Sequence, residues 1–333
     1  MSIAATAPAE RKGLFTAATL QKILPFAVLL ILFSFFSIFA PYFFQGSNFI
    51  AIMVATYVNG VLACACTFVI ISGGIDLSVG TLMTFTAVMS GVFITNLGLP
   101  MPIGIVGALL SGAAAGALSG TFIAKMKLPP FIATLGMMQM ARGSSLLIAQ
   151  EKPIYFTETP SYTFIAYDST LNYLFPALPK IPNGVILMFL VAIISALVLN
   201  RTIFGRYVFA LGSNEEAARL SGMNVDFWKI CTYAFSGLIC GVAGLLISSR
   251  LQQARPDLGF GYELEAIAAT VIGGTSLSGG RGSILGSIIG AFILSVLLNG
   301  LRIMGAPEDY KIVVTGAVII LAVWVDSLLR KRA

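Results

Sequence analysis

Asp76 is the only charged side chain in residues 23–124. An acid set alone in so long an apolar stretch has two uses. It can line or gate a polar path, because an isolated acid at the centre of a membrane helix costs roughly 2.5–3.5 kcal/mol on insertion scales and is kept where it functions. It can also cap a helix running on from Leu77, accepting the N–H bonds of the first turn. The two uses are compatible, and both stay open. Few other residues offer chemistry. There is no histidine, which removes His-based catalysis, His metal ligands and Ser-His-Asp triads together. Cys64, Cys66, Cys231 and Cys240 fall in apolar runs with no C-x-x-C pair, so they read as small packed side chains. No metal set or cofactor is expected, and an intramembrane enzyme would lack its nucleophile and base.

Leu277-Ser278-Gly279-Gly280 matches the core of the signature peptide of ABC-type ATPases. An ATPase domain also needs G-x-x-x-x-G-K-[ST], whose lysine and backbone amides hold the phosphates. No Gly-Lys pair occurs anywhere in the chain, so the tetrapeptide is a coincidence and the chain is not an ATPase. It has another context. "GGIDLSVG" at 73–80 and "GGTSLSGG" at 273–280 share G-G-x-x-L-S-x-G, each between apolar runs; an internal duplication and a chance match in a glycine-rich chain are equally open. Gly73, Gly74, Gly273, Gly274, Gly279 and Gly280 are expected to break helices. At membrane depth the freed backbone groups must face protein or a water-filled cavity, as they do in transporter pathways.

The elements that position these residues follow from composition. Hydrophobic residues make up 57% and charged residues 10%, with mean hydropathy +0.93; soluble domains carry about 25% charged residues. Apolar segments long enough for roughly 30 Å of hydrocarbon lie at about 24–44, 49–72, 77–97, 101–124, 128–149, 185–200, 230–250, 262–280, 283–304 and 311–328. The expected fold is an all-α integral membrane protein, a polytopic bundle of about ten helices, some broken at Gly-rich points. With the N-terminus inside, thirteen Lys and Arg fall in inside segments against six outside, and Arg142 lies within a span. That bias gives N-in and C-in, and the net charge of +6 then requires no nucleic acid. The expected parts are a cytoplasmic tail 1–22, a transmembrane domain 23–328 and a cytoplasmic tail 329–333. Gly112, Gly116 and Gly120, Gly237 and Gly241, and Gly286 and Gly290 recur at the spacing that lets helix backbones approach closely.

Two polar stretches interrupt the bundle. The outside one, about 150–184, is rich in Tyr and Phe and serves as an interfacial aromatic belt or as a docking surface. The inside one, about 201–229, holds "GSNEEAARLSG". Asn214 can cap a short helix whose first turn carries Glu215 and Glu216, favourable against the helix dipole, and Gly222 is a natural C-terminal breaker.

Glu216-Ala217-Ala218 followed by Gly222 resembles the E-A-A-x-x-x-G coupling loop of ABC importer permeases. Together with "GGIDLSVG" and "GYELEAIAATVIGGTSLSGGRGSILGSIIGA" at 261–291, the chain from about residue 50 onward resembles the ribose-type permease family. The resemblance implies a membrane subunit of a bacterial inner-membrane sugar importer, paired with a second permease copy or paralogue. A periplasmic binding protein would deliver the monosaccharide, and a cytoplasmic ATPase would dock on Asn214, Glu215, Glu216, Ala217, Ala218, Arg219 and Gly222. A path for a neutral sugar needs no strong fixed charge; Asn59, Thr67, Ser72, Ser78 and Asn299, with Asp76, are the candidate liners or gate. The rival reading is an ion-coupled secondary transporter acting as a single chain, which would need buried carboxylates or bases.

Overall fold

The computed structural model describes residues 17–177 and 179–330; the expected tails therefore lie largely outside the described residues. In chain order the helices are α1 (Ala17–Phe39), α2 (Gly46–Ile71), α3 (Val79–Gly91), α4 (Met101–Ala124), α5 (Pro130–Ile148), α6 (Thr170–Leu174), α7 (Asn183–Arg201), α8 (Ile203–Ser213), α9 (Glu215–Leu220), α10 (Val225–Leu251), α11 (Tyr262–Ile272), α12 (Ile284–Ile303) and α13 (Glu308–Arg330). A π-helical turn, Val92–Asn96, extends α3. The described strands are β1 (Ile154–Tyr155) and β2 (Gln253–Ala254), an antiparallel pair. Six helices among the described residues are long and apolar enough to cross a membrane. Large apolar side chains point outward from them, such as Leu110, Ile193 and Leu197. In water that surface would aggregate; in lipid it is the ordinary exterior. The chain is an all-α, multi-pass membrane protein.

Helix α2 is the axis of the bundle, buried almost continuously from Thr56 to Ile71. Around it pack α10, α12, α11 and α7. The closest helix contact, between α4 and α10, follows from the glycine spacing. A Cβ on Gly112 would stand 2.5 Å from the Gly237 carbonyl oxygen, and one on Gly120 2.7 Å from the Ile230 Cα; Gly116 would strike the Tyr233 carbonyl. Gly286 and Gly290 of α12 bring that helix against Gly273 and Ala269 in the same way. Without a hydrophobic drive between helices in lipid, this backbone contact is where the packing energy lies. Gly116→Leu is expected to destabilise the bundle by about 1–3 kcal/mol or more through overpacking, seen as a lowered unfolding temperature in detergent. Gly136→Leu, where a Cβ meets nothing within 4 Å, should leave that temperature unchanged.

The span expected at 262–280 is helical only to Ile272; residues 273–283 are irregular. Gly274 at φ +90°, then Gly279 and Gly280 at φ +82° and +71°, hold conformations that side chains other than glycine resist. The span expected from 77 begins as helix at Val79. Two irregular segments enter the bundle from opposite ends. Residues 72–78 rise from the end that carries α9. Residues 255–261 descend from the end that carries the β-ladder, where Thr95 donates to the Tyr155 carbonyl at 3.4 Å. They converge on the first turn of α3, where a Cβ on Gly80 would strike the Gly259 carbonyl. Gly80 is sixteen residues from Asn96, about 24 Å at 1.5 Å per residue. Both segments therefore lie at membrane depth.

Candidate functional site

Backbone outside a helix must find partners when no water is near, and the segment 72–78 does. The Gly73 and Gly74 amides bond back to Ile70 and Val69, closing α2. The Thr134 hydroxyl of α5 accepts from the Leu77 amide at 3.2 Å and donates to the Ile75 carbonyl at 3.1 Å. Asp76 Oδ1 accepts from the Ser78 amide at 2.9 Å and the Ser78 hydroxyl at 2.5 Å. Its second oxygen faces the Ser236 hydroxyl at 3.5 Å, eleven residues into α10. Asp76 is thus 2% exposed, about 16 Å along α10 from its first residue.

The second irregular segment supplies a matching carboxylate. Glu263, in the first turn of α11 and 5% exposed, accepts from the Gly261 amide through both oxygens at 3.0 Å. A Cβ on Gly80 would lie 2.8 Å from Glu263 Oε2 and 3.2 Å from the Glu263 amide. The amino-terminal ends of α3 and α11 therefore meet inside the membrane, each with a carboxylate that accepts from the amide of its N-cap residue, Ser78 or Gly261; the first-turn cap expected of Asp76 from Leu77 onward is not made. Two positive dipole ends in low dielectric explain why acids are retained there. Glu265, on the same turn, accepts from the Asn59 side-chain amide of α2.

At the α9 end, the helix breaks come together. The Gly280 amide donates to the Ile71 carbonyl at 2.8 Å. Gly212 of α8 sits between them: a Cβ there would meet the Ile71 carbonyl and stand 2.6 Å from the Gly280 amide. One on Gly279 would lie 3.0 Å from Gly212 Cα and 3.1 Å from Gly73 Cα. Three residues beyond Gly212 the chain enters α9. Asn214 Oδ1 accepts from the Ala217 amide at 2.9 Å, and Gly222, at φ +88°, ends the helix. Lys229 bridges to Glu215 at 2.6 Å, Arg219 to Glu215 at 3.4 Å and to Asp226 at 3.6 Å, and Lys127 to Asp226 at 3.0 Å. Partial burial pushes the Glu215 carboxyl up, but the hydrogen bonds and charges of Lys229 and Arg219 outweigh it and hold it below its usual value. Exposed pairs are worth about 0–1 kcal/mol each; their use here is to fix α9 on α10, and α10 on the α4–α5 turn. Ala218 faces inward while Glu216, Ala217 and Leu220 face out.

The uncharged path candidates are distributed. Thr67 of α2 bonds Ser287 of α12 at 2.7 Å, buried on both sides. Ser72 donates to the Val69 carbonyl. Asn299 lies in α12, 8% exposed, its Oδ1 without a partner among the described residues. Gathered around the meeting helix ends are Asp76 and Ser78; Asn59 joins them through Glu265, and Thr67, Ser72 and Asn299 do not.

The family described as "Branched-chain amino acid transport system / permease component" matches residues 48–323. The ribose import permease protein RbsC of Escherichia coli K12 is 40% identical over 316 residues, 94% of this chain and 96% of that protein. The fructose import permease protein FrcC of Rhizobium meliloti is 38% identical, covering 93% and 86%. The xylose transport system permease protein XylH of Escherichia coli K12 is 34% identical, covering 87% of each. The chain belongs to the ribose-type ABC sugar permease family. No solved structure matches it.

In this permease three features escaped the sequence reading. Glu263 and Glu265 sat in a run taken as a span, and their spacing from Gly259 and Gly261 was the available signal. Gly212 gave none, because its neighbours come from residues 71–73 and 279–280. In the aromatic stretch, Phe156 and Tyr162 belong neither to a belt nor to a docking face. They stack at 3.9 Å and are buried, with the Tyr162 hydroxyl 2.7 Å from Ser248 and 3.0 Å from Ser90. Tyr155, Tyr167 and Tyr173 are exposed.

Proposed function

We propose that this permease is the membrane subunit of an ATP-driven importer in the bacterial inner membrane, carrying a monosaccharide or polyol delivered by a periplasmic binding protein. The observation that carries the reading is the placement of Gly212. The short helix α9 is joined through α8 to the point where the chain's two glycine breaks touch, so a push on α9 reaches both breaks, at 71–73 and 279–280, directly. In this reading the tail before α1 and the end of α13 are cytoplasmic. Helices α1, α5, α11 and α13 join the six apolar spans to make ten. Residues 201–229 face a partner ATPase, and 150–184 face the periplasm, where a cavity of about 670 Å³ is lined by Tyr57, Asp168, Asn172 and Arg250. Two copies pair around the path, and ATP binding rocks them between inward- and outward-open states. The importing chemistry resides in the partner; this chain binds, orients and gates.

The test is uptake into vesicles holding the permease, its ATPase and its binding protein. ATP supplied on the α9 side should drive accumulation of D-ribose, D-xylose or D-fructose, unaffected by a protonophore. Uptake by the permease alone would overturn the assignment. It would favour an ion-coupled carrier, for which the deep carboxylates Asp76, Glu263 and Glu265 would be the coupling groups.

A further inference from the structure

Arg142 is a charged side chain facing the wrong solvent. It lies twelve residues past Pro130 and six before Ile148 in α5, and it is exposed on the surface of the chain. Among the described residues no carboxylate pairs with it. Its guanidinium carbon sits 5.3 Å from the centre of the Phe260 ring, at the tip of the irregular segment that descends into the bundle. Phe260 is itself 63% exposed. Gln139, one turn earlier on α5, is exposed as well. An arginine at the centre of a lipid-facing helix costs about 2.5–3.5 kcal/mol on insertion scales, and the ring holds this one away from the helix end. Irregular backbone at membrane depth is tolerated only inside protein or beside water. Helix α5 is thus flanked by both irregular segments, through buried Thr134 on its inner face and through Arg142 on its exposed face. The exposed side of α5 also carries Ile132, Leu135 and Met140, but these are interrupted by Gln139 and Arg142, whereas on α7 Ile193, Ile194 and Leu197 face outward together.

Gly136 and Gly143 complete the picture. Unlike Gly112 or Gly237, neither has an atom within 4 Å of where a Cβ would be, so no packing within the chain demands glycine there. They leave the surface around Gln139 and Arg142 open.

We propose that Arg142, Gln139 and Phe260 form a sugar-contacting station of the translocation path, walled on its open side by the same face of a second copy of this chain. The proposal rests on the importer reading and adds the residues that meet the solute. Arginine offers five donors in a fixed fork, suited to the hydroxyl oxygens of a monosaccharide, and Gln139 offers both a donor and an acceptor. The Phe260 ring presents an apolar surface to the C–H face of a sugar. The fixed positive charge also repels protons and metal cations, so a path wide enough for a sugar does not leak them. In this arrangement a neutral solute passes a single fixed positive charge.

The test uses the complete transporter with Gln139→Cys, and Ile193→Cys on α7 as the lipid-facing control. A charged, membrane-impermeant thiol reagent should label the first and spare the second. Arg142→Gln should reduce uptake roughly tenfold or more, the scale of one charge-assisted hydrogen bond, while the ATPase still co-purifies. Arg142→Lys should restore part of it. Gly143→Cys should crosslink two copies. If Gln139→Cys resists the reagent as Ile193→Cys does, α5 faces lipid and the proposal is wrong. If it is labelled but Arg142→Gln transports normally, the sugar contact is wrong. Should the unmodified transporter carry no monosaccharide, the functional reading fails and the sugar contact falls with it; the labelling still decides whether α5 borders water.

Discussion

Gly212→Ala is expected to leave a folded permease that still binds its ATPase but imports sugar at least tenfold more slowly. The physical basis is a single methyl group. At Gly212 it would meet the Ile71 carbonyl and lie 2.6 Å from the Gly280 amide, the two atoms that join the breaks through a 2.8 Å hydrogen bond. The contact can relax only by moving α8 off the junction or by parting the breaks. Inserting one methylene into a tight site costs about 1–3 kcal/mol, enough to bias a two-state element by a factor of ten or more. A larger residue such as leucine should also lower the unfolding temperature. Transport and ATP hydrolysis measured side by side decide the matter. Uptake equal to wild type in Gly212→Ala would show that α8 does not transmit the motion.

Gly222→Asp combined with Glu216→Lys should abolish co-purification of the ATPase, with uptake lost in consequence. Neither substitution meets a packed neighbour, although any side chain at Gly222 strains the end of α9 itself. Gly222 has open space around its Cβ position, and aspartate tolerates its φ of +88° better than most residues do. Glu216 is exposed and outside the ion pairs that hold α9. Reversing an interfacial charge costs about 2–5 kcal/mol when its partner is left buried, so binding should fall at least tenfold. The control is Glu215→Gln, which weakens the internal pairs with Lys229 and Arg219 and leaves the outer face unchanged. If the double variant retains its ATPase while unfolding at the wild-type temperature, α9 is not the contact.

Much of this fold was legible because membrane helices are written in composition. A window of twenty apolar residues needs no tertiary information, and α4, α7 and α12 fall within a few residues of their expected limits. Glycine spacing was equally readable, since a groove of backbone can be seen in one helix alone. The short helix α9 was legible from its own ends, with Asn214 at one and Gly222 at the other. What could not be read was depth. Residues 273–280 are apolar and glycine-rich enough to pass for the end of a span, while 255–261, with Arg255, Pro256 and Asp257, reads as a loop outside the bundle; only packing against Gly212 and Gly80 shows otherwise. Glu263 and Glu265 were obscured for that reason: an acid in an assumed span draws attention only when nothing shows that a helix begins beside it. Asp76 was visible because its surroundings carry no other charge.

Helix α10 has a consequence for how such a chain can change over time. Its 27 residues meet the α9 ion pairs through Asp226 and Lys229, Asp76 through Ser236, and the far aromatic anchor through Ser248 and Ser249. One inserted residue turns everything beyond it by about 100°, so any two of these three levels on either side of the insertion would fall out of phase. Loops can lengthen and surfaces can drift, but α10 can neither gain nor lose a residue without every level re-evolving at once. It is the ruler against which the rest of the molecule is cut.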